Sequence, residues 1–414
     1  MDIIRVNRGR LTIFKNALEA EWLNNIAPFW LKYAPDELHG GFRGWITNDL
    51  EFDENAEKGI ILHSRILWTF SRAYKLYKDE QYLQMANCAF AYILDHFLDP
   101  VAGGVFWTVD YLGQPSDTKK RTYAQGFALY SFTEYYQVTG SKEALSTAFE
   151  MFYLIERSCR DSENDGYLET FERDWTPAAN QRLSEADQDD NKSMNAHLHV
   201  LEAYTSFAHV TGDGRALERL RAVLLLFQER IVHPNGTHLQ MFFDEQWNSR
   251  SEVRSFGHDI EASWLLCKAA DVLGDHHLIS DVRRAAIMLT ASVYDEGLDT
   301  DGSLLYEADH NGVIDREKHW WVQAEAVVGF VNTWQITGDD RYFTAAERVW
   351  SFINRYVIDH QDGEWFWKTS ETGIPSDEMP KVSQWKCPYH NGRMCFEISE
   401  RLNNIEEISA DESH

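Results

Sequence analysis

Ile336-Thr-Gly-Asp-Asp-Arg-Tyr342 is the type of segment that decides the fold, because it ends one helical pattern and begins the next. Gly338 suits the left-handed residue that closes a helix, and Asp339 suits the cap of the helix that follows. Similar segments recur between other pairs of stretches with apolar residues at helical spacing. These copies lie at residues 76–82, 138–144, 210–216 and 273–277.

A second recurring feature is a glycine beside aromatic or apolar residues, as in His39-Gly-Gly-Phe42 and Asp362-Gly-Glu-Trp365. Each copy follows the first helix of a unit and predicts a short hairpin or extended arm. A further helix follows each arm, and the six copies recur at about 60–70 residues, which is typical of a helical-hairpin repeat. These second helices are predicted to begin near His63, Tyr123, Asn195, His258, Trp320 and His390.

The repeat predicts an all-α fold, an (α/α)6 barrel of six inner and six outer helices with short hairpins in the connecting loops. Neither end of the chain resembles the polar capping repeat that an open solenoid needs. The second helices are apolar on all sides, as at residues 324–334, which indicates that they are the buried inner set. No Pro- or Ser-rich linker interrupts the pattern, so we expect one domain over residues 1–414. We also expect a frayed tail from about residue 403 and a solvated or lid loop at residues 185–190.

The composition of the chain argues against some classes of binding partner. A net charge of −27 argues against nucleic acid and anionic membranes, because both bind basic surfaces. Fifteen Trp, 18 Tyr and 23 Phe are a heavy aromatic load, which favours stacking on sugar faces in addition to core packing. The five cysteines include no CxxC pair. The first ten residues contain no apolar leader segment, so we expect a soluble, cytoplasmic protein.

Polar residues stand at the starts of the inner helices, where the mouth of such a barrel gathers them over one pocket. His258 and Glu261 are three residues apart and so share one helical face, as a general base and a carboxylate partner do. Trp321 and Glu325, four apart, form a stacking surface with a hydroxyl acceptor. Asn195-Ala-His-Leu-His199 offers two imidazoles without a third ligand at fixed spacing, so no metal is predicted.

Four stretches, in order, resemble the N-acylglucosamine 2-epimerase superfamily, and most of all its cellobiose 2-epimerase branch. The resemblance extends from about residue 14 to residue 402 and implies the same barrel that the repeat predicts. Mannose 2-epimerases are similar too, and these motifs do not separate them. The stretches are Asn195-Ala-His-Leu-His-Val-Leu-Glu-Ala-Tyr204, Gly257-His-Asp-Ile-Glu-Ala-Ser-Trp264, Trp320-Trp-Val-Gln-Ala-Glu325 and Trp385-Lys-Cys-Pro-Tyr-His-Asn-Gly-Arg393.

The resemblance implies that His258 and His390 are the acid/base pair and that Glu261 is the partner of His258. It implies no cofactor and a small sugar, a mono- or disaccharide, as substrate. The expected reaction interconverts the glucose and mannose configurations at C2 of the reducing-end residue of a β-1,4-linked disaccharide. The residues expected to line the sugar site are Arg65, Asn195, His199, Trp264, Trp321, Glu325 and Trp385.

Three alternatives stay open at this point. An aldose–ketose isomerase of the same superfamily would return the proton to C1 instead of C2. A non-catalytic sugar-binding or protein-interaction barrel would not need paired imidazoles at its mouth. A glycoside hydrolase on this fold needs two carboxylates at a set separation, whereas the predicted mouth is rich in histidine.

Overall fold

The computed structural model describes residues 6–184 and 187–411, with side chains as far as residue 403. Most of this chain is helical, and the helices alternate between an outer and an inner layer. In chain order they are α1 (Arg8–Glu21), α2 (Ala27–Tyr33), α3 (Ile60–Tyr77), α4 (Glu80–Tyr92), α5 (Thr122–Thr139), α6 (Lys142–Leu154), α7 (Met194–Thr211), α8 (Gly214–Leu226), α9 (Phe256–Leu273), α10 (His276–Ser292), α11 (Trp320–Thr337), α12 (Asp340–Phe352) and α13 (Tyr389–Asp411).

Six helices form a closed inner ring. Helix α3 packs on α5, and contacts continue through α7, α9 and α11 to α13, which returns to α3. The outer helices α4, α6, α8, α10 and α12 each pack on the inner helix that precedes them, while α1 packs on α13. The predicted (α/α)6 barrel is therefore confirmed, and its seam is closed by the first outer helix against the last inner one.

The residues that were predicted to end one helix and to cap the next have these roles in the structure. Gly140, Gly212, Gly274 and Gly338 each close an inner helix with φ of 62–69°, the left-handed region that glycine enters without a Cβ penalty. Lys78 takes that place after α3. The side chains that open the following outer helices each accept a backbone N–H of the first turn; they are Asp79, Ser141, Asp213, Asp275 and Asp339.

Every outer helix contains one five-residue π-helical turn, which the sequence pattern did not predict. In five units this turn ends the outer helix, and in the first unit it separates α1 from α2. Such turns hold one extra residue per turn and interrupt the regular α-helical spacing. They lie at Trp22–Ile26, Ile93–Phe97, Ile155–Cys159, Phe227–Ile231, Val293–Gly297 and Ile353–Val357.

Short strands connect neighbouring units around the mouth of the barrel. The strand before an inner helix pairs, antiparallel, with a strand in the arm of the next unit, giving the pairs β1–β2, β4–β5, β6–β7, β8–β9 and β11–β12. A bridge between Ile46 and Val382 joins the last unit to the first. The strands are β1 (Lys58–Gly59), β2 (Thr108–Val109), β3 (Pro115–Asp117), β4 (Lys120–Arg121), β5 (Thr170–Phe171), β6 (Lys192–Ser193), β7 (Phe242–Phe243), β8 (Arg254–Ser255), β9 (Glu307–Asp309), β10 (Gly312–Asp315), β11 (Lys318–His319) and β12 (Lys368–Thr369).

The fourth residue of five inner helices ties the helix to the arm in front of it, and we call these five the latch residues. Each accepts a hydrogen bond from a buried backbone N–H of the arm, at 2.7–3.3 Å. An unpaired N–H at these positions would cost about 1–3 kcal/mol, so a polar side chain is required there for the fold alone. The latch residues are His63, Gln125, His197, Asp259 and Gln323.

Two expectations concern residues at the edges of what the structure describes. Helix α13 continues to Asp411, and the side chains beyond Asn403 lie outside the described part, so the frayed tail stays a prediction. Glu185 and Ala186 of the acidic loop also lie outside it. Within the described residues, no helix combines the length and the apolar character needed to cross a membrane.

Candidate active site

His390 stands at the second position of α13 and is held by a buried carboxylate. Its Nδ1 lies 2.7 Å from Oε1 of Glu325, which projects from the neighbouring inner helix α11. The other oxygen of Glu325 accepts the indole N–H of Trp264 at 3.0 Å. No described group hydrogen-bonds Nε2 of His390, so this nitrogen is the one available to a bound molecule.

His258 is the second imidazole at the mouth. Its Nδ1 lies 2.9 Å from the hydroxyl of Ser255, the residue that caps α9, and among the described residues its Nε2 has no hydrogen-bond partner either. The indole of Trp321 packs near both rings, with its centroid 4.7 Å from that of His258 and 5.7 Å from that of His390. Trp321 is half-buried, so a molecule bound against it meets both imidazoles.

A third imidazole, that of His199, is held in the same way as that of His390. Its Nδ1 lies 3.0 Å from Oε2 of Glu202, one helical turn further along α7. The rings of Tyr123 and Phe127 pack against it, with centroids 4.9 and 4.8 Å away. The pocket therefore contains two buried Glu–His pairs, one within α7 and one between α11 and α13.

Arg393 joins these Glu–His pairs at the floor of the pocket. It is 1% exposed, and its two Nη atoms donate to Glu202, Glu261 and Glu325, with the last at 2.7 Å. Tyr389, one turn before it on α13, donates to the same oxygen of Glu202 at 2.5 Å. Three carboxylates thus face one buried guanidinium.

Arg65 forms another wall of the pocket. It donates to the hydroxyl of Tyr123 at 2.8 Å, and its guanidinium lies over the ring of Phe127, 4.4 Å from the centroid. The half-buried Trp385 packs near Tyr123 at 5.9 Å between ring centroids, with its backbone carbonyl facing Arg65. This wall combines a positive charge, a phenol and an exposed indole edge.

Burial sets the protonation of these groups. Desolvation lowers the pKa of His258 to about 3 and holds the pKa of His390 well below its usual value, so both rings are neutral near pH 7. Burial also raises the pKa of Glu261 and Glu325. The pKa of Glu202 is lowered to about 2, since Arg393, His199 and Tyr389 outweigh the cost of its desolvation.

The structure corrects the contact expected between Glu261 and His258. Although they are three residues apart, Glu261 turns to Arg393, and the side chain next to Nδ1 of His258 is Ser255. Glu325 likewise binds protein groups through both oxygens instead of standing open beside Trp321. The spacing argument failed because Arg393, 132 residues from Glu261 in the chain, supplies a stronger partner for a buried carboxylate.

The remaining predicted residues differ in how they face the pocket. Trp264 is fully buried, donates to Glu325 and packs under the guanidinium of Arg393, so it supports these two side chains instead of lining the sugar site as expected. Asn195 is half-buried, and its Oδ1 is a buried oxygen without a hydrogen-bond partner among the described residues. His258, His390, Trp321, His199, Arg65 and Trp385 surround one pocket.

Several pocket residues were missed in the sequence. Glu202 follows His199 at the same three-residue spacing that drew attention to His258 and Glu261, so the signal was present and was not used. Arg393 follows His390 by three residues. Tyr123 was predicted only as a helix start, and Ser255 was not among the candidate residues.

One group in the pocket has the spacing of a metal site. Glu261, Glu325 and His390 each place a ligand atom within 4.8 Å of the others. The guanidinium of Arg393 donates to both carboxylates, so a cation of the protein itself already pairs with them. The donor set is therefore explained by an ion-pair network.

Comparisons with known proteins agree with this fold and pocket. Residues 40–391 match the family of N-acylglucosamine 2-epimerase. A cellobiose 2-epimerase of Bacteroides fragilis is 44% identical over 93% of this chain and 98% of its own length, and one of Ruminococcus albus is 41% identical over the same shares. The solved structure of a cellobiose 2-epimerase from Bacillus thermoamylovorans superimposes with a TM-score of 0.90 at 39% identity, covering 94% of this chain and 100% of that one.

An α-helical barrel with titratable groups gathered at its mouth defines a class of enzyme, and these likenesses specify which one. The chain belongs to the N-acylglucosamine 2-epimerase family. It is an isomerase, a sugar 2-epimerase, as the resemblance in its sequence predicted.

Proposed function

We propose that this enzyme inverts C2 of the reducing-end residue of a β-1,4-linked disaccharide such as cellobiose or lactose. His258 and His390 share the proton transfers. The observation that carries the proposal is the placement of these two imidazoles beside one indole, each held through Nδ1 and each with Nε2 unoccupied by any described group. The relatives described above support the choice of a disaccharide.

The chemistry requires a base and an acid at C2. Opening the hemiacetal gives the aldehyde, which acidifies the C2 proton, and removal of that proton gives an enediolate. A proton returned to the opposite face of C2 completes the inversion. No net oxidation occurs, because the proton lost from C2 is replaced by another.

Neutral imidazoles suit both steps. The low pKa of His258 and His390 keeps each ring unprotonated near pH 7, so either accepts the C2 proton at Nε2. The ring on the other face returns a proton that its Nε2 has taken from solvent, and the first ring then releases its own proton to solvent. The helices that carry the two rings, α9 and α13, both border α11, which supplies Trp321 near both. We therefore assign one imidazole to each face of the enediolate.

The positive wall of the pocket suits the enediolate oxygens. Arg65 is buried and remains charged, and its bond to the hydroxyl of Tyr123 leaves that phenol free to donate its own proton to a bound oxygen. Asn195 offers an unpartnered Oδ1 to a sugar hydroxyl, and His199 offers Nε2. Trp321 and Trp385 present half-buried indoles for stacking on the sugar rings.

Turnover in heavy water tests the reaction. With one base on each face, the product gains one deuterium at C2 in the first turnovers, while the remaining substrate keeps its hydrogen. Identification of the products from cellobiose, lactose, mannose and N-acetylglucosamine tests the substrate at the same time. A ketose product would indicate proton return to C1, and product without solvent deuterium would contradict proton exchange at the two imidazoles.

The disaccharide is tested separately through Trp385. If its indole stacks on the second sugar, Trp385→Ala raises KM for cellobiose by about tenfold, since a lost stacking contact is worth about 1–1.5 kcal/mol, and changes KM for mannose little. Trp320→Ala is the matched control, because Trp320 is 3% exposed and packs in the core. We expect that variant to lose stability without this preference between substrates. An equal rise of KM for both sugars in Trp385→Ala would contradict the assignment.

A further inference from the structure

The most unusual side chain of the pocket, outside the groups already given a role, is Arg393. It is almost fully buried, and its two Nη atoms donate to three carboxylates from three different inner helices. One guanidinium cannot neutralise three carboxylates. Burial raises the pKa of Glu261, whose Oε2 is buried without a hydrogen-bond partner among the described residues, so Glu261 is suited to hold the surplus proton.

The contacts of Glu325 favour Nδ1 as the nitrogen of His390 that carries the proton. Its Oε1 receives Arg393 at 2.7 Å and faces Nδ1 of His390 at 2.7 Å, while its Oε2 receives the indole N–H of Trp264 at 3.0 Å. Arginine and indole nitrogens only donate, so Glu325 must accept from both. An ionised Glu325 then also accepts from Nδ1, which places the proton of His390 on Nδ1 and leaves a lone pair on Nε2.

Removing the guanidinium reverses this arrangement. Glu325 would then share a buried space with Glu202 and Glu261 without a positive charge, and like charges in a low dielectric force a proton onto one of them. A protonated Glu325 donates to Nδ1 of His390. The ring proton then moves to Nε2, and the nitrogen that faces the pocket loses its lone pair.

We propose that Arg393 is a positioning residue, which holds Glu325 as a carboxylate and thereby keeps Nε2 of His390 free to accept the C2 proton. The inference rests on the proposed function for its last step only, because the tautomer of His390 is a property of the free enzyme. Arg393 itself is 1% exposed, and its guanidinium donates to protein carboxylates.

The first experiment measures the tautomer directly. In 15N-histidine spectra of the whole enzyme, His390 is assigned by the signal that disappears in His390→Gln. We expect a protonated Nδ1 and an unprotonated Nε2 in the wild-type protein at neutral pH. His197 is an internal reference, since its Nδ1 faces the carbonyl of Ser193 at 2.7 Å and its Nε2 accepts from Tyr167 at 2.9 Å, which fixes its tautomer without Arg393.

Arg393→Lys keeps a positive charge but replaces the planar fork by a single ammonium. We expect the His390 signals to move toward a protonated Nε2, while those of His197 stay in place. The value of kcat falls by about 100-fold, within the range for loss of a correctly protonated acid–base group, and KM changes little. Because activity requires ionised Glu325, and its pKa rises further in the variant, the acid limb of the rate profile moves up by about one pH unit.

Arg72→Lys is the matched control. Arg72 is also a largely buried guanidinium between two carboxylates, those of Glu134 and Glu400, but it lies near the other end of α3. We expect it to lower the melting temperature without a change in the pH profile or in the tautomer of His390. If Arg393→Lys behaves like Arg72→Lys, Arg393 is only structural and the proposal is wrong.

The outcomes separate the two proposals. A wild-type His390 protonated on Nε2 overturns the inference about Arg393 without any variant, even if Arg393→Lys fails to fold. A tautomer change in Arg393→Lys without a change in rate upholds the positioning by Arg393 and contradicts His390 as a base, which is the proposed function. Loss of both together supports both.

Discussion

The latch residues and the pocket residues both lie near the starts of inner helices, and they use histidine in opposite ways. In His63 and His197 both ring nitrogens contact backbone groups, one a carbonyl and one an N–H. In His258 and His390 only Nδ1 is occupied by a described group. Burial lowers the pKa of all four, to about 3 for His63 and about 4 for His197, so the direction of the pKa does not distinguish them. The free Nε2 does.

The largest expected effect is in the pocket. His258→Gln and His390→Gln each remove the atom that we propose exchanges the C2 proton, so we expect the rate of epimerisation to fall by about 10⁴-fold. Initial rates with product identification measure it, and near-ultraviolet circular dichroism checks the fold. His277→Gln, at an exposed position on α10, is the control that keeps full activity. A decrease in rate of less than tenfold in either pocket variant would show that this histidine does not differ in role from the latch residues.

We expect substitutions of the latch residues to change the stability of the protein instead of its rate of epimerisation. His197→Ala leaves the buried N–H of Tyr167 unpaired, and we expect the free energy of unfolding to drop by about 1–3 kcal/mol in urea titrations. Since His197 does not line the sugar site, kcat stays within about threefold. His197→Gln is a sharp control, because Gln125 and Gln323 already serve as latches at the same helix position and glutamine should restore most of the lost stability.

Acid should affect both regions through stability, and only the pocket through rate. The folded pKa of the buried histidines lies below the usual value of about 6.5, so the unfolded chain binds more protons and stability falls as the pH drops below about 6.5. The double variant His63→Gln/His197→Gln should flatten this dependence of the urea midpoint on pH. Its kcat/KM profile should match that of the wild type, because the acid limb follows Glu325. A shifted rate profile would show that the latch also governs chemistry.

The smallest expected effect is that of metal removal on the rate. Arg393 already pairs with Glu261 and Glu325, so dialysis against a chelator should leave the rate unchanged. A large loss of activity that a divalent cation restores would reopen the group of Glu261, Glu325 and His390 as a ligand set.

Local sequence patterns predicted the barrel well because its features are local. Gly140 with Ser141, or Gly338 with Asp339, carries helix-ending and helix-starting chemistry within two residues. The six-fold recurrence then required a partner for every apolar face, and a closed ring satisfies that requirement. The sequence did not predict the π-helical turns because one extra residue per turn requires no particular type of residue.

The sequence predicted which residues gather at the pocket better than it predicted which of them contact each other. His258, His390, His199, Arg65 and Trp321 were found because polar residues at the start of apolar helices stand out. Their partners depend on which helices become neighbours in the ring, and helical spacing within one segment carries no such information. Glu202 does pair with His199 at three-residue spacing, whereas Glu261 at the same spacing from His258 binds Arg393.

The closure of the ring by α13 against α1 has a consequence for the order of events during synthesis. His390, Tyr389 and Arg393 all stand on this last inner helix, and Glu202, Glu261 and Glu325 stand on the three inner helices made before it. A nascent chain that has released five helical pairs therefore holds three acidic side chains without their cation. Their repulsion disfavours early collapse of an incomplete barrel, and arrival of the guanidinium from α13 couples completion of the fold to assembly of the catalytic pocket.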